Sequence, residues 1–232
     1  MAAGLGTRFG KMTETMPKGF VEVSGKSMIE RSVETLIACG IERIIIGTGY
    51  KKEKYEDLQS KYPQIETCFS PKYAETNSMY TLWNTRNLVG KDDFLLLESD
   101  LIFEARAIQA LLESSWTDIM LISPVTKFQD QYYVESNDDD ILSACSVIKD
   151  EVNAKGELVG IHKLSNSFYR KMCMEYAKIV EDKPKLGYEY MLLNMSKAVS
   201  PVYVLKIEGL QWYEIDDEQD LKYAEENIIN NI

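Results

Sequence analysis

The first twenty residues, MAAGLGTRFGKMTETMPKGF, carry the pattern A-A-G-x-G-x-R, with Pro17-Lys18 about ten residues further on. Glycines at positions 4 and 6 let backbone N–H groups approach an anion closely. Arg8 and Lys18 bring positive charge to the same anion from two points of the loop. Polyphosphate binding is the chemistry this combination suits. Two other glycine-rich patterns fail at specific residues. The dinucleotide fingerprint G-x-G-x-x-G meets Phe9 at its third glycine, with Gly10 one residue late. The loop G-x-x-x-x-G-K-[ST] ending at Gly10-Lys11 meets Leu5 at its first glycine and Met12 at its hydroxyl.

Displacement at the α-phosphorus of a nucleotide needs charge neutralisation more than a side-chain nucleophile. Magnesium held by one or two carboxylates and phosphate oxygens supplies it. Asp100 closes the apolar run FLLLESD, which places it at the carboxyl end of a strand, where open α/β sheets bind ligands. Asp216 lies in WYEIDDEQDL, after the last expected strand and before the final helix. Asp216 and Asp217 equally suit the capping of that helix. Glu98 alternates with Asp100 and can face the same side.

These residues need a frame, and the chain is long enough to supply one. Its 232 residues are 45% hydrophobic and 27% charged, ordinary for one globular domain with a sizeable core. The formal net charge of −11 argues against a nucleic-acid partner. No apolar run approaches the roughly 20 residues that span a bilayer, so no membrane association is expected. Cys39, Cys68, Cys145 and Cys173 are scattered without a C-x-x-C pair, and read as reduced residues of a cytoplasmic protein.

FVEVSG alternates like a short strand. SMIERSVETLIACG opens with the capping box Ser27–Glu30 and stops at Gly40. IERIIIGTG, IETCF, DDFLLLESD, TDIMLISPV and PVYVLKI read as strands, separated by helical stretches that include NSMYTLWNTRNLV. QYYVESNDDDILSACSVI reads as a hairpin with an acidic turn. GELVGIHKLS leads into the helix NSFYRKMCMEYAKIV, EYMLLNMSKAV is a further helix, and EGLQWYEIDD reads as a loop. Strands alternating with helices predict a Rossmann-like α/β fold, a mainly parallel mixed sheet with helices on both faces. The change of character after residue 126 predicts one domain over 1–232 with a small inserted lobe at 126–195.

With its loop, its Pro-Lys and its two acids, the chain resembles the sugar-phosphate-type nucleotidylyltransferases, the nucleotide-diphospho-sugar transferase type of fold. FLLLESDLIF, GELVGIHKLS, KLGYEYML and WYEIDDEQDL bring it nearest to the small cytidylyltransferases acting on phosphocholine and 2-aminoethylphosphonate. The resemblance implies that Ala2, Ala3, Gly4, Gly6 and Thr7 cradle a triphosphate, with Arg8 and Lys18 at the reacting phosphates. It implies Mg2+ on Asp100 and Asp216, and a base near Thr76, Asn77 and Ser78, whose polar groups suit a pyrimidine edge. CTP is the expected nucleotide. The family places a buried strand directly before the loop, so a segment upstream of Met1 is expected. Homodimerisation is left open.

Both acceptors join a phosphorus acid to a cationic nitrogen. A trimethylammonium head needs aromatic faces, whereas a primary ammonium needs carboxylates. The lobe and its flanks offer Tyr132, Tyr133, Tyr188, Tyr190 and Trp212 against Glu157, Glu189 and Glu214, with Tyr133, Tyr188, Trp212, Glu157 and Glu189 taken as the acceptor residues. The preference falls on 2-aminoethylphosphonate, then phosphocholine. A sugar-1-phosphate enzyme using UTP or dTTP and a non-catalytic nucleotide-binding module are the competing readings. His162, the only histidine, is expected to be structural.

Overall fold

The computed structural model describes residues 1–126 and 131–232. Elements follow in chain order: β1 (Glu22–Val23), β2 (Lys26–Ser27), α1 (Met28–Ala38), β3 (Ile44–Thr48), α2 (Lys52–Asp57), β4 (Ile65–Phe69), α3 (Ser78–Asn84), α4 (Arg86–Val89), β5 (Phe94–Leu97) and β6 (Leu101–Phe103). Then come α5 (Arg106–Glu113), β7 (Ile119–Ser123), β8 (Tyr133–Ser136), β9 (Leu142–Ser146), β10 (Gly156–Leu164), α6 (Asn166–Ala177), α7 (Tyr188–Ala198), β11 (Tyr203–Lys206), β12 (Trp212–Glu214) and α8 (Glu218–Asn227).

The main sheet runs β11-β7-β10-β8-β9, with β5 on the free part of β10. β11 and β7 are parallel, and β5 and β7 each run antiparallel to β10. β5, β7 and β11 therefore share one direction, as expected of a Rossmann-like sheet. The reversed β10 threads between them, so most direct ladders are antiparallel. β3 and β4 form a separate parallel pair.

Every residue of β7 is buried, because helices cover both faces. Met120 and Ile122 pack with Met79 of α3, Phe168 of α6 and Leu192 of α7. Ile119 and Leu121 point the other way, to Val33 of α1 and Ile108 of α5. The period-2 alternation of one strand thus joins two cores.

The segment 126–195 does not stand apart as a lobe. Its longest strand, β10, lies in the middle of the main sheet, where its apolar run is covered on both sides. Only the start of the β8–β9 hairpin and the amino end of α7 reach toward the opening loop; residues 127–130 of that segment lie outside the described residues.

Where the resemblance puts a strand before the loop, a cleft of about 420 Å³ separates β3 from β5. Ala2 bridges to Thr48 in parallel sense, and the Met1 ammonium donates to Leu97 O at 2.6 Å. Burial lowers that ammonium below the usual amino-terminal range, against the pull of Glu98 and Asp100.

Besides β10, the strands β6 and β12 were not named from the sequence. β6 and β12 form a three-residue antiparallel ladder, with Glu214 opposite Leu101. It continues one step through Ile215 N–H, which donates to Asp100 O at 3.0 Å.

Candidate active site

The opening loop is anchored at both ends. Ala2 N–H donates to Gly47 O at 2.8 Å, and Tyr50 N–H donates to Ala3 O at 3.2 Å. Residues Thr7–Glu14 coil into a 3-10 helix kinked at Gly10, and Phe9 fills a core pocket with Val21 and Ile215. Among the described residues no acceptor takes the N–H groups of Ala3, Gly4, Leu5 and Gly6, so they are available to an anion. Gly6 has φ +64, and a Cβ there would lie 3.1 Å from Lys18 Cβ. Gly19 has its own reason: a Cβ would meet Tyr55 Oη at 2.9 Å and Ser99 O at 3.1 Å. The small residue lets the Pro17-Lys18 turn lie against the end of β5.

Lys18 Nζ donates to Asp100 Oδ2 and to Asp216 Oδ1, each at 2.5 Å. Arg8 Nη2 donates to Asp216 Oδ1 at 2.6 Å. The β6–β12 ladder makes this possible, because it sets Asp100 one residue and Asp216 two residues beyond its end. Burial works against the Lys18 charge, but the two carboxylates reverse the effect and hold the ammonium above its ordinary value. Asp217 takes the capping role instead, accepting from Gln219 N–H and Asp220 N–H. The two neighbouring acids thus divide the tasks that the sequence left open between them.

A divalent cation fits the acids here. Asp100 Oδ1 is buried and accepts no hydrogen bond. Oxygen-only donors suit a hard ion such as Mg2+. Glu98, Asp100 and Glu214 each place a carboxylate oxygen within 4.8 Å of the others, and Asp216 shares Lys18 with Asp100.

One cleft of about 360 Å³ gathers most of the expected residues. Ala2, Ala3, Gly4, Gly6, Arg8 and Lys18 line it on the loop side, and Asp100 and Asp216 line its floor. Thr76, Asn77 and Ser78 line it at the amino end of α3. Their polar groups are partly committed. Thr76 Oγ1 donates to Lys72 O at 2.6 Å, Asn77 Oδ1 accepts from Ser78 N–H at 2.8 Å, and Ser78 Oγ accepts from Tyr188 N–H at 3.0 Å. Tyr188 and Glu189 line the other end, joined by Tyr132, Glu98 and Glu214.

Four expected residues lie outside the cleft. Thr7 is exposed on the 3-10 coil. Tyr133 and Glu157 face one another across the β8–β10 ladder, both buried. Tyr132 looks into the cleft, so period-2 alternation turns its neighbour Tyr133 away. Thr126 Oγ1 donates to Glu157 Oε1 at 2.5 Å. Trp212 begins β12, two residues short of the site, and its Nε1–H donates to Ser123 Oγ at 2.8 Å in the core.

Glu98 and Tyr132, both open to the cleft in the sequence reading, do line it. Glu98 alternates with Asp100 on the same strand end, which was the available signal. The sequence offered Tyr132 and Tyr133 alike, because which of them faces the cleft depends on how β8 pairs. Burial, then Glu214, Asp100 and Glu189, hold the Glu98 carboxyl well above the usual carboxylate range. Burial pushes Glu189 up to about 7. Burial likewise lowers His162 to about 3, so the imidazole is neutral.

A phosphate-binding loop, two convergent bases and a floor of acids at the end of a mixed α/β sheet define a nucleotidyltransferase. Residues 1–134 match the model of the MobA-like NTP transferase domain, and the chain belongs to that family. It is 30% identical over 236 residues to choline-phosphate cytidylyltransferase of Streptococcus pneumoniae, covering 99% of this chain and 97% of that one. It is 34% identical over 102 residues to 2-aminoethylphosphonate cytidylyltransferase of Lancefieldella rimae, covering 44% and 42%. Among solved structures, CTP:phosphocholine cytidylyltransferase from Streptococcus pneumoniae superposes with a TM-score of 0.82 at 27% identity, over 97% of this chain and 95% of that one. The inositol-1-phosphate CTP transferase from T. maritima shares the fold, with a TM-score of 0.80 at 16% identity over 98% and 95%. Among the described residues no helix is long and apolar enough to cross a membrane.

Proposed function

We propose that this enzyme transfers a cytidylyl group from CTP to a small phosphonate or phosphate bearing a cationic nitrogen, with 2-aminoethylphosphonate preferred. The observation that carries the acceptor class is the composition of the cleft beyond the acids of its floor. Three glutamates, Glu98, Glu189 and Glu214, converge there. Tyr133 and Trp212, two of the aromatics able to form a cage, face elsewhere. Carboxylates receive the three N–H donors of a primary ammonium, whereas a trimethylammonium has none to give.

An ionised oxygen on the acceptor's phosphorus attacks the α-phosphorus of CTP in line. The new O–P bond forms as the bond to the β-phosphate breaks, and pyrophosphate departs with the electron pair. The loop N–H groups of residues 3–6 bind the triphosphate, and Arg8 offsets charge on the departing pyrophosphate. Lys18 stabilises the five-coordinate phosphorus. Asp100 and Asp216 are the acids that would hold Mg2+, which when bound neutralises phosphate charge and orients the nucleotide. The attacking oxygen is already ionised, so no general base is required. His162, neutral and buried, is not called on. Ser78 offers a hydroxyl donor to the pyrimidine edge.

Pyrophosphate release is the test. CTP, UTP, ATP and GTP are crossed with 2-aminoethylphosphonate, phosphocholine, phosphoethanolamine and glucose 1-phosphate. The reading requires CTP to be preferred and an ammonium-bearing acceptor to be consumed. Turnover of glucose 1-phosphate alone would replace it with a sugar-nucleotide activity.

A further inference from the structure

We infer that Glu98 is the specificity-determining acid for the acceptor's ammonium group, and that the buried pair Tyr188–His162 is the device that positions its carboxylate. The inference rests on the cytidylyltransferase reading above and assigns the recognition of the acceptor to particular atoms.

Glu98 follows the last residue of β5 and extends over β10 at a break in its regular pairing. The ladder between β10 and β7 shifts register between Leu158 and His162, and Gly160 within that stretch has φ +77. A Cβ at Gly160 would lie 2.7 Å from Glu98 Oε2. The bulge and its glycine therefore make the space into which the carboxylate fits. Gly160 O also accepts the Glu98 N–H at 3.1 Å, so strand and side chain are fixed together.

The other carboxylate oxygen is held from behind. Tyr188 Oη donates to Glu98 Oε1 at 2.7 Å, and His162 Nε2 lies 3.2 Å from the same phenol oxygen. The imidazole ring meets the Tyr188 ring edge-on, with centroids 5.2 Å apart. Both side chains are fully buried. With the phenol proton given to Glu98, the contact left to the imidazole is as donor, through Nε2–H. A chain His162–Tyr188–Glu98 results, with its carboxyl member in the cleft. Tyr188 thus acts through Glu98 and not as an aromatic wall.

An independent observation at the same place calls for a cation. Glu189 is only 5% exposed, lines the same cleft, and its Oε2 accepts no hydrogen bond. A Cβ at Gly187 would collide with that oxygen, so the preceding glycine is what lets the carboxylate lie there. Among the described residues neither Glu98 nor Glu189 forms a salt bridge, whereas Asp100 and Asp216 share Lys18. A buried carboxylate without a partner is costly. A primary ammonium between Glu98 and Glu189 gives both acids N–H donors, and its phosphonate end remains free to reach the loop side of the cleft.

The test compares 2-aminoethylphosphonate, its isostere 2-hydroxyethylphosphonate and the bulkier phosphate ester phosphocholine. KM and kcat are measured for wild type, Glu98→Gln and Tyr188→Phe, with thermal unfolding as a check on folding. Glu98→Gln is expected to raise KM for 2-aminoethylphosphonate at least tenfold, with KM for CTP and the hydroxyl acceptor changed less than threefold. Tyr188→Phe, which keeps the ring and removes the hydroxyl that donates to Glu98 and accepts from His162, is expected to produce a smaller rise with the same selectivity. An equal loss with all acceptors, or a rise in KM for CTP in step with that for the acceptor, overturns the inference and assigns Glu98 to nucleotide or metal binding. A wild type that consumes none of the ammonium acceptors overturns the functional reading itself. If Glu98→Gln does not fold, the selectivity of Tyr188→Phe decides alone.

Discussion

Arg8 Nη2 and Asp216 Oδ1 meet at 2.6 Å although 208 positions separate them in sequence. The loop reaches the acid because Asp216 sits two residues past the β6–β12 ladder, whose last pair is Glu214 with Leu101. Asp100 precedes the same ladder on its other strand, so a single short pairing positions both acids for Lys18.

Replacing Lys18 with alanine removes the ammonium that faces both acids and the reacting phosphate. Loss of one preorganised charge of this kind lowers turnover by about 10²–10³. Affinity for CTP should change far less, because the interaction is made chiefly in the transition state. Steady-state kinetics with CTP varied will separate the two. Normal turnover with weakened CTP binding would remove Lys18 from the transition state.

Asp100→Asn and Asp216→Asn should each raise the Mg2+ concentration for half-maximal activity by roughly tenfold or more, since one charged oxygen ligand is neutralised. Chelation should abolish wild-type activity, with Mg2+ restoring it. Asp217→Asn provides the contrast. Its carboxylate caps α8, and asparagine caps nearly as well, so Mg2+ dependence should stay as in wild type.

Gly6→Ala tests the loop. The residue has φ +64 and its new methyl would press on Lys18 Cβ and Thr13 Cγ2, at 3.1 and 3.2 Å. An alanine in that conformation costs on the order of 1 kcal/mol. Displacement of Lys18 should lower turnover as well. Gly4→Ala meets nothing within 4 Å, so its stability in denaturant should remain close to wild type.

His162 sets a pH dependence of stability. Burial lowers it from an ordinary 6.5 to about 3. Between those values the unfolded chain binds the proton and the folded chain does not, so stability falls as pH drops below 6.5. Between pH 6.5 and 5 the loss from this group is about 2 kcal/mol. Glu98 and Glu189 are shifted upward and act in the opposite sense. The measurement is therefore the difference between wild type and His162→Gln in denaturant unfolding at pH 7 and pH 5. The variant should lose less stability on acidification; an equal loss would mean that the imidazole is solvated.

The sequence made the chemistry legible where it is local. A glycine pair, an arginine and a Pro-Lys within twenty residues announce a phosphate loop, and an apolar run closed by Asp100 announces a strand end. It hid what depends on pairing. β6 and β12 are three residues each, too short for alternation to stand out, yet they bring the acids together. Tyr133 and Tyr132 look equivalent in sequence, and one step of strand parity decides which faces the cleft. Trp212 satisfies its indole N–H inside the core, a partner no local window reveals. The change of composition after residue 126 suggested a separate lobe, whereas its longest strand is the middle of the sheet.

The β6–β12 pairing also bears on how the protein comes off the ribosome. Arg8 and Lys18 are made about two hundred residues before the acid they share, and a domain folds as a unit. A nascent chain halted before Trp212 would lack both β12 and Asp216, and with Ile215 the packing of Phe9, so the phosphate loop becomes competent only after that strand docks.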